Sequence, residues 1–187
     1  LDSYTLKIGE GDPIAVGADG TYTFDNGDVL TVVVEGSITN VAESDVTNAI
    51  TSLTIMNGAE DVSGAYSVTQ NNGTLTVTAK PVTVTANSEG FTYDGQPHSN
   101  AGYDVVGLVG QDAITAVVTG SITYPSESPV TNVLTSYEFT AGTSSNYSVT
   151  VYDGTLTMEY GEAVALEVTA DSDSWTYNGQ AHTLDSY

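Results

Sequence analysis

The chain contains no cysteine and only two cationic residues, Lys7 and Lys80. Without cysteine there is neither a disulfide nor a thiolate metal ligand, which suits a protein that folds outside the cell without oxidation. Two lysines against 24 acidic residues leave a formal net charge of −22. That balance excludes a phosphate-binding surface, and with it nucleic acid. It also argues against anionic membrane surfaces, while favouring solubility and opposing self-association. Lys80 precedes Pro81, so the chain is almost blank to a protease that cuts after lysine or arginine, as suits persistence in a gut lumen. No apolar run approaches the ~18 residues of a membrane span, so this fragment is not expected to insert into a bilayer. No signal peptide stands at the start, and the fragment is read as beginning inside a longer protein or as trimmed of its targeting segment.

Catalytic signatures are missing too. There is no G-x-S-x-G elbow, and the glycines punctuate strands rather than leading a strand into a helix around phosphate. Carboxylates are plentiful, but a small β domain built from repeated units is a poor host for a glycosidase pair. The expectation is a non-enzyme.

What is present is β structure. "TLTVTA", "PVTVTA", "LTVVVEG", "ITAVVTG", "YSVTVY" and "ALEVTA" alternate β-branched residues with small or polar ones, the period-two pattern of strands. "SDVTNAITSLTIM" comes nearest to a helical period, but its β-branched content argues against a helix. Asn72-Gly73, Asp94-Gly95, Asp153-Gly154 and Asn178-Gly179 lie between such runs and favour tight hairpin turns. On that basis "YSVTQNNGTLTVT" and "YSVTVYDGTLTM" are expected to be hairpins, as are "FTYDGQPH" and "WTYNGQAH". Tyr66 and Tyr147, just before the first pair, stand where the tyrosine corner of immunoglobulin-like sandwiches would, its hydroxyl bonded to upstream backbone. The expected fold class is all-β, as tandem immunoglobulin-like β-sandwich domains.

The strands repeat. "GSIT" at Gly36 returns at Gly120, "VTN" at Val46 returns at Val130, and "FTYDGQPH" at Phe91 returns as "WTYNGQAH" at Trp175, each 84 residues on. "YSVT" and "GTLT" recur at 81, so the second copy loses three residues after Ser136 and regains them after Met158, as turns tolerate. Finally, Leu1-Asp2-Ser3-Tyr4 returns as Leu184-Asp185-Ser186-Tyr187 at the matching place in the repeat. These intervals describe alternating copies, A and B, in a longer array with a 183-residue period. The favoured frame assigns 1–78 to copy A without its first strands, 79–159 to copy B, and 160–187 to the opening strands of the next A. The alternative frame cuts the chain into 1–98 and 99–187. In the favoured frame copy A exposes an unpaired sheet edge, so strand exchange between chains is expected.

The "[FW]TY[DN]GQ[PA]H" element and the "NYSVT…DGTLT" segment resemble the MBG or YDG group of immunoglobulin-like repeats in giant surface adhesins of gut Firmicutes and other bacteria. The resemblance spans essentially the whole chain, twice. It implies an extracellular, cell-surface location and a stalk that projects a binding tip. It also implies binding of host protein or glycan, mucin or immunoglobulin, by some repeats, and supplies no catalytic residues. Copy A departs from the pattern in "LKIGEGDPIAVGADGTYTFDNGD", longer and more acidic than the corresponding part of copy B, and a candidate ligand surface.

Several side chains are worth testing for chemistry. Asp12, Asp19, Asp25 and Asp28, with Glu10, crowd that acidic segment and are weak calcium candidates, calcium taking several oxygens from such loops; solvated turn-forming aspartates are the plainer reading. Asp171 and Asp173 sit in a turn. His98 and His182 are one per copy and do not make a zinc site. Lys7 and Lys80 are one per copy, as an intramolecular isopeptide bond would need, but they are not equivalent in the repeat and read as surface residues. Tyr124, Trp175 and Tyr177, with Phe91 and Tyr93, are candidates for sugar or protein contact, aromatic residues being enriched in binding hot spots; Phe91 and Trp175 also suit packing onto the core. No cofactor is expected. The favoured function is a non-catalytic adhesin repeat; the alternative is an accessory carbohydrate-binding region of a secreted multidomain enzyme.

Overall fold

The computed structural model describes residues 4–184; the echoed residues Leu1–Ser3 and Asp185–Tyr187 lie outside them. The described chain is all-β. Its only helical turns are four three-residue 3-10 turns, and no helix is long and apolar enough to cross a membrane.

Copy B carries seven strands: β8 (Lys80–Ala86), β9 (Glu89–Thr92), β10 (Tyr103–Val106), β11 (Ala113–Thr119), β12 (Val130–Ala141), β13 (Tyr147–Tyr152) and β14 (Gly154–Glu159). They form two sheets, ordered β10-β8-β13 and β11-β12-β14-β9. Alternation aims Val82, Val84 and Ala86 of β8 inward, against Ile114, Val118, Leu134 and Tyr147, in one buried cluster shared by both sheets. A second cluster, Ile122, Leu156 and Met158 with Phe91 and Val130 against it, closes the other end.

Copy A carries β1 (Tyr4–Leu6), β2 (Ile14–Val16), β3 (Thr21–Thr23), β4 (Val29–Glu35), β5 (Val46–Asn57), β6 (Glu60–Asp61) and β7 (Gly73–Leu75). β4 and β5 match β11 and β12 in length, in antiparallel pairing and in a register shift, between Val33 and Val34 in one copy and Val117 and Val118 in the other. The equivalent connections turn through 3-10 segments at Val41–Glu43 and Pro125–Glu127. There the Glu43 carboxylate accepts the backbone N–H groups of Asn40 and Thr39, both at 2.9 Å, which holds its pKa down at about 2. Glu127 accepts those of Thr123 and Tyr124 at 2.8 and 3.0 Å and is likewise lowered.

The expected hairpins are not hairpins. β13 pairs in parallel with β8 in one sheet, while β14 pairs with β12 and, in parallel, with β9 in the other. Asp153 thus steps the chain from sheet to sheet, and Asn87-Ser88 does the same between β8 and β9. Gly154 is needed for close approach, since a Cβ there would stand 2.3 Å from the Asn87 carbonyl oxygen, and its φ is not positive. A turn dipeptide and a crossing point between sheets carry the same letters. "FTYDGQPH" instead leads from β9 through a turn, with positive φ at Gly95, into a bridge between His98 and Ile122.

Candidate functional site

Three exposed tyrosines meet at the far end of copy B. Tyr124 caps the turn after β11, Tyr93 follows β9 and Tyr160 follows β14. The Tyr93 ring centroid lies 6.1 Å from that of Tyr124 and 5.9 Å from that of Tyr160. Tyr124 is 52% exposed and Tyr160 74%. The backbone beneath is fixed, because the Tyr124 N–H is held by Glu127 and the Tyr93 N–H donates to the Glu159 carbonyl at 2.9 Å. The result is a shelf of aromatic faces with free hydroxyls, able to stack on sugar rings or pack against a protein loop. Tyr160 was not foreseen, since the sequence brings it beside Tyr93 only through the parallel pairing of β14 with β9.

Trp175 and Tyr177 do not join the shelf. They sit on residues 160–184, where the sequence predicts opening strands, "ALEVTA" among them; these residues hold no strand and are exposed throughout, their alternation having no sheet alongside to pair with. The Trp175 ring stacks on His182 at 5.1 Å, as Phe91 stacks on His98 at 4.8 Å. Phe91, however, packs on the core of copy B, whereas Trp175 is 46% exposed. The Nε2 of His98 also bonds Asp94 at 2.9 Å, and that contact, more than the Gln96 N–H, lowers the Asp94 pKa.

The acidic segment of copy A is not gathered around an ion site. Among the described residues no group of three acidic or histidine side chains is placed to hold a metal. Asp12 and Asp25 are exposed, and Asp19 bonds the Thr21 hydroxyl at 3.1 Å. Asp28 has structural work: buried, it accepts the Tyr66 hydroxyl at 2.6 Å, the Asn57 amide at 2.6 Å and the Asn26 amide at 2.9 Å. Lys7 and Lys80 are both exposed.

The pair of Asp28 and Tyr66 recurs in copy B, where the Tyr147 hydroxyl donates to Asp112 and accepts the Val109 N–H at 3.2 Å. The tyrosines therefore do reach upstream, as a corner would, but onto a loop carboxylate in both copies and onto backbone only at Tyr147. Bonding to the carboxylate raises both tyrosine pKa values, while bonding to Tyr66 and then Asn57 lowers that of Asp28 against the opposing effect of burial. The pH dependence has two signs. A tyrosine raised above its unfolded value of about 10 stabilises the fold below that pH, and the contribution is lost as pH rises through the native value. A lowered Asp28 stabilises above the ordinary carboxylate value of about 4, and the contribution is lost as pH falls through the native one. A spectrophotometric titration should show Tyr66 and Tyr147 ionising late among the 12 tyrosines. Unfolding should accompany them, and Tyr147→Phe should remove one of the late ionisations.

Copy A holds a cleft of about 850 Å³. Tyr4–Gly9 form one wall and Tyr66–Gly73 the other, with Val34, Ile50 and Asn48 on the floor. No family model, curated protein or solved structure matches the chain.

Proposed function

We propose that the chain is a pair of immunoglobulin-like sandwich repeats of the MBG or YDG kind from a bacterial surface adhesin, outside the cell, acting as stalk and as binding surface without catalysis. The observation that carries this reading is the internal repeat. β4-turn-β5 and β11-turn-β12 share pairing, the position of the register shift and the glutamate-held turn, as units strung in series would. The ligand surface is the shelf of Tyr93, Tyr124 and Tyr160, and the ligands it suits are host glycan or glycoprotein, mucin or immunoglobulin.

A panel of mucin and plant glycans together with immunoglobulin capture tests this. Tyr124→Ala should fold normally, its side chain being largely exposed, and should weaken binding about tenfold or more if the ring is a hot spot. Binding to mucin glycan or immunoglobulin supports the adhesin. Selective binding to plant polysaccharide would favour the accessory region of a secreted enzyme, which the same shelf would serve. Equal binding by Tyr124→Ala would remove the shelf from the proposal.

A further inference from the structure

The cleft in copy A has the shape of one missing strand. In copy B, β8 lies between β10 and β13, antiparallel to the first and parallel to the second. The echoed tetrapeptide makes Tyr4 the counterpart of Tyr103, so β1 corresponds to β10; Tyr66–Asn71 correspond to β13. These are the two walls of the cleft, and among the described residues no strand lies between them. The consequences are visible on one wall and the floor. Tyr66–Asn71 form no strand, whereas β13 is a strand of six residues. Val34, Ile50 and Tyr66 are only half-buried, although their counterparts Val118, Leu134 and Tyr147 are buried under β8.

The missing sequence stands elsewhere in the chain. Residues 164–170, "VALEVTA", lie 84 positions after β8, "KPVTVTA". Leu166, Val168 and Ala170 take the places of the inward Val82, Val84 and Ala86. Leu166 is 85% exposed and Val168 92%, against 1% and 0% for the β8 residues. We infer that residues 164–176 of a second copy of this chain enter the cleft of copy A and complete its sheet.

The register follows from copy B. Tyr147 faces Lys80 and Tyr103 faces Ala86, so Tyr66 will face Val164, Val68 will face Leu166, Leu6 will face Val168 and Tyr4 will face Ala170. Lys7 then faces Glu167 on the solvent side, placing one of the two cations opposite a carboxylate, a favourable cross-strand pair. In copy B the buried Asn132 amide donates to the carbonyls of Asn87 and Asn100 at 2.8 and 2.9 Å. Its counterpart Asn48 lines the cleft, where the incoming carbonyl of Asp171 would receive it. Further along, Asp173–Thr176 extend β7 as β9 extends β14, and Trp175 takes the position of Phe91 over Ile38, Val46 and Leu75.

For these 187 residues taken by themselves the donor belongs to a second copy, because the chain's own donor cannot return. The tail leaves copy B at Glu159, beyond the end where Val130 pairs with Leu156. Copy A joins copy B at Lys80, opposite Tyr147, and touches it through the Val41 N–H on the Asn146 side chain at 2.9 Å. The 12-residue β12 spans most of the distance between those ends, about 40 Å at ~3.3 Å per residue. The four residues 160–163 reach ~14 Å at most. One donor and one acceptor on different surfaces give open head-to-tail association.

Light scattering on the 19.4 kDa chain at physiological ionic strength, across concentrations, tests this together with fluorescence of the single tryptophan, Trp175. Multiples of the monomer mass should appear at high micromolar concentration, with a blue shift of Trp175. Leu166→Asp, in a segment with no core contacts, should leave a folded monomer. Lys7→Glu should weaken association a few-fold, and Lys7→Glu with Glu167→Lys should restore it. A chain monomeric at every concentration overturns the proposal, whether Trp175 is solvated or buried, a buried Trp175 then assigning the cleft to the chain's own tail. Association unchanged by Leu166→Asp also overturns it. None of these outcomes depends on whether the tyrosine shelf binds a ligand.

Discussion

Asn132→Asp is expected to unfold copy B or cost it ~3 kcal/mol or more. Asn132 is fully buried, and its amide nitrogen donates to the carbonyls of Asn87 and Asn100. These contacts tie the step between β8 and β9 to the segment ahead of β10, so one side chain fastens three stretches of backbone. The amide oxygen has no partner and lies where a Cβ on Gly120 would come within 2.5 Å of it. A carboxylate cannot donate. It would place negative charge against two carbonyl oxygens away from water, and a buried charge left unpaired costs far more than a lost neutral hydrogen bond. Asn132→Leu should be milder, near the ~1–3 kcal/mol of unsatisfied buried acceptors. Asn48→Asp, half-buried over an open cleft, should cost the isolated chain little. Denaturant titration of the three variants checks the order. If Asn132→Asp proves no worse than Asn132→Leu, the two carbonyl contacts do not hold the corner.

Much of this was legible in the sequence, and the failures share one cause. Period-two alternation locates β4, β8 and β11, because each presents one face to a core and one to water; β5, the segment nearest a helical period, is told apart by its β-branched content. The 84-residue interval pairs the copies position by position. Partner choice was not legible. "YSVTVYDGTLTM" has the letters of a hairpin, yet its halves lie in different sheets, since Val82 and Val84 draw β13 to β8 and Leu156 seats β14 beside β12. Local turn chemistry cannot register a competing strand 67 residues away in the chain, the separation between Tyr147 and Lys80. Strands were also lost where the pattern was present: Tyr66–Asn71 read as a strand in both copies but form one only where β8 lies alongside.

The candidate site was less legible than the fold. Tyr124 was identifiable as an aromatic residue at a turn, but its neighbours Tyr93 and Tyr160 come from β9 and β14, which meet only through a parallel pairing. Trp175 and Tyr177 carried the same aromatic signal without a folded partner to display it. Asp28 misled in the opposite direction. Counted among loop carboxylates as a calcium candidate, it is committed to Tyr66, Asn57 and Asn26. Its repetition as Asp112, 84 residues on and beside Tyr147, marks it as structural.

Leu156→Ala should cost copy B about 3–4 kcal/mol, within the range for truncating a fully buried leucine where the cavity cannot collapse. Leu156 is completely buried and centres the cluster of Ile122 and Met158, with Phe91 and Val130 against it. It also sits where β14 touches β12 on one side and β9 on the other, facing Val130 and Glu89. Two neighbouring strands hold that position, so the space left by the removed atoms is unlined on no side and relaxation is limited. Leu75 is its counterpart in copy A, half-buried on β7 with β5 alone beside it. Leu75→Ala should therefore cost less than half as much in the monomeric chain, because the group being deleted is already partly in water. The difference should narrow once donor residues 164–176 occupy copy A, since Trp175 would then cover Leu75 as Phe91 covers Leu156. Measuring both variants below and above the concentration of association separates the two contributions. If Leu75→Ala costs the same at both concentrations, Trp175 does not reach that position.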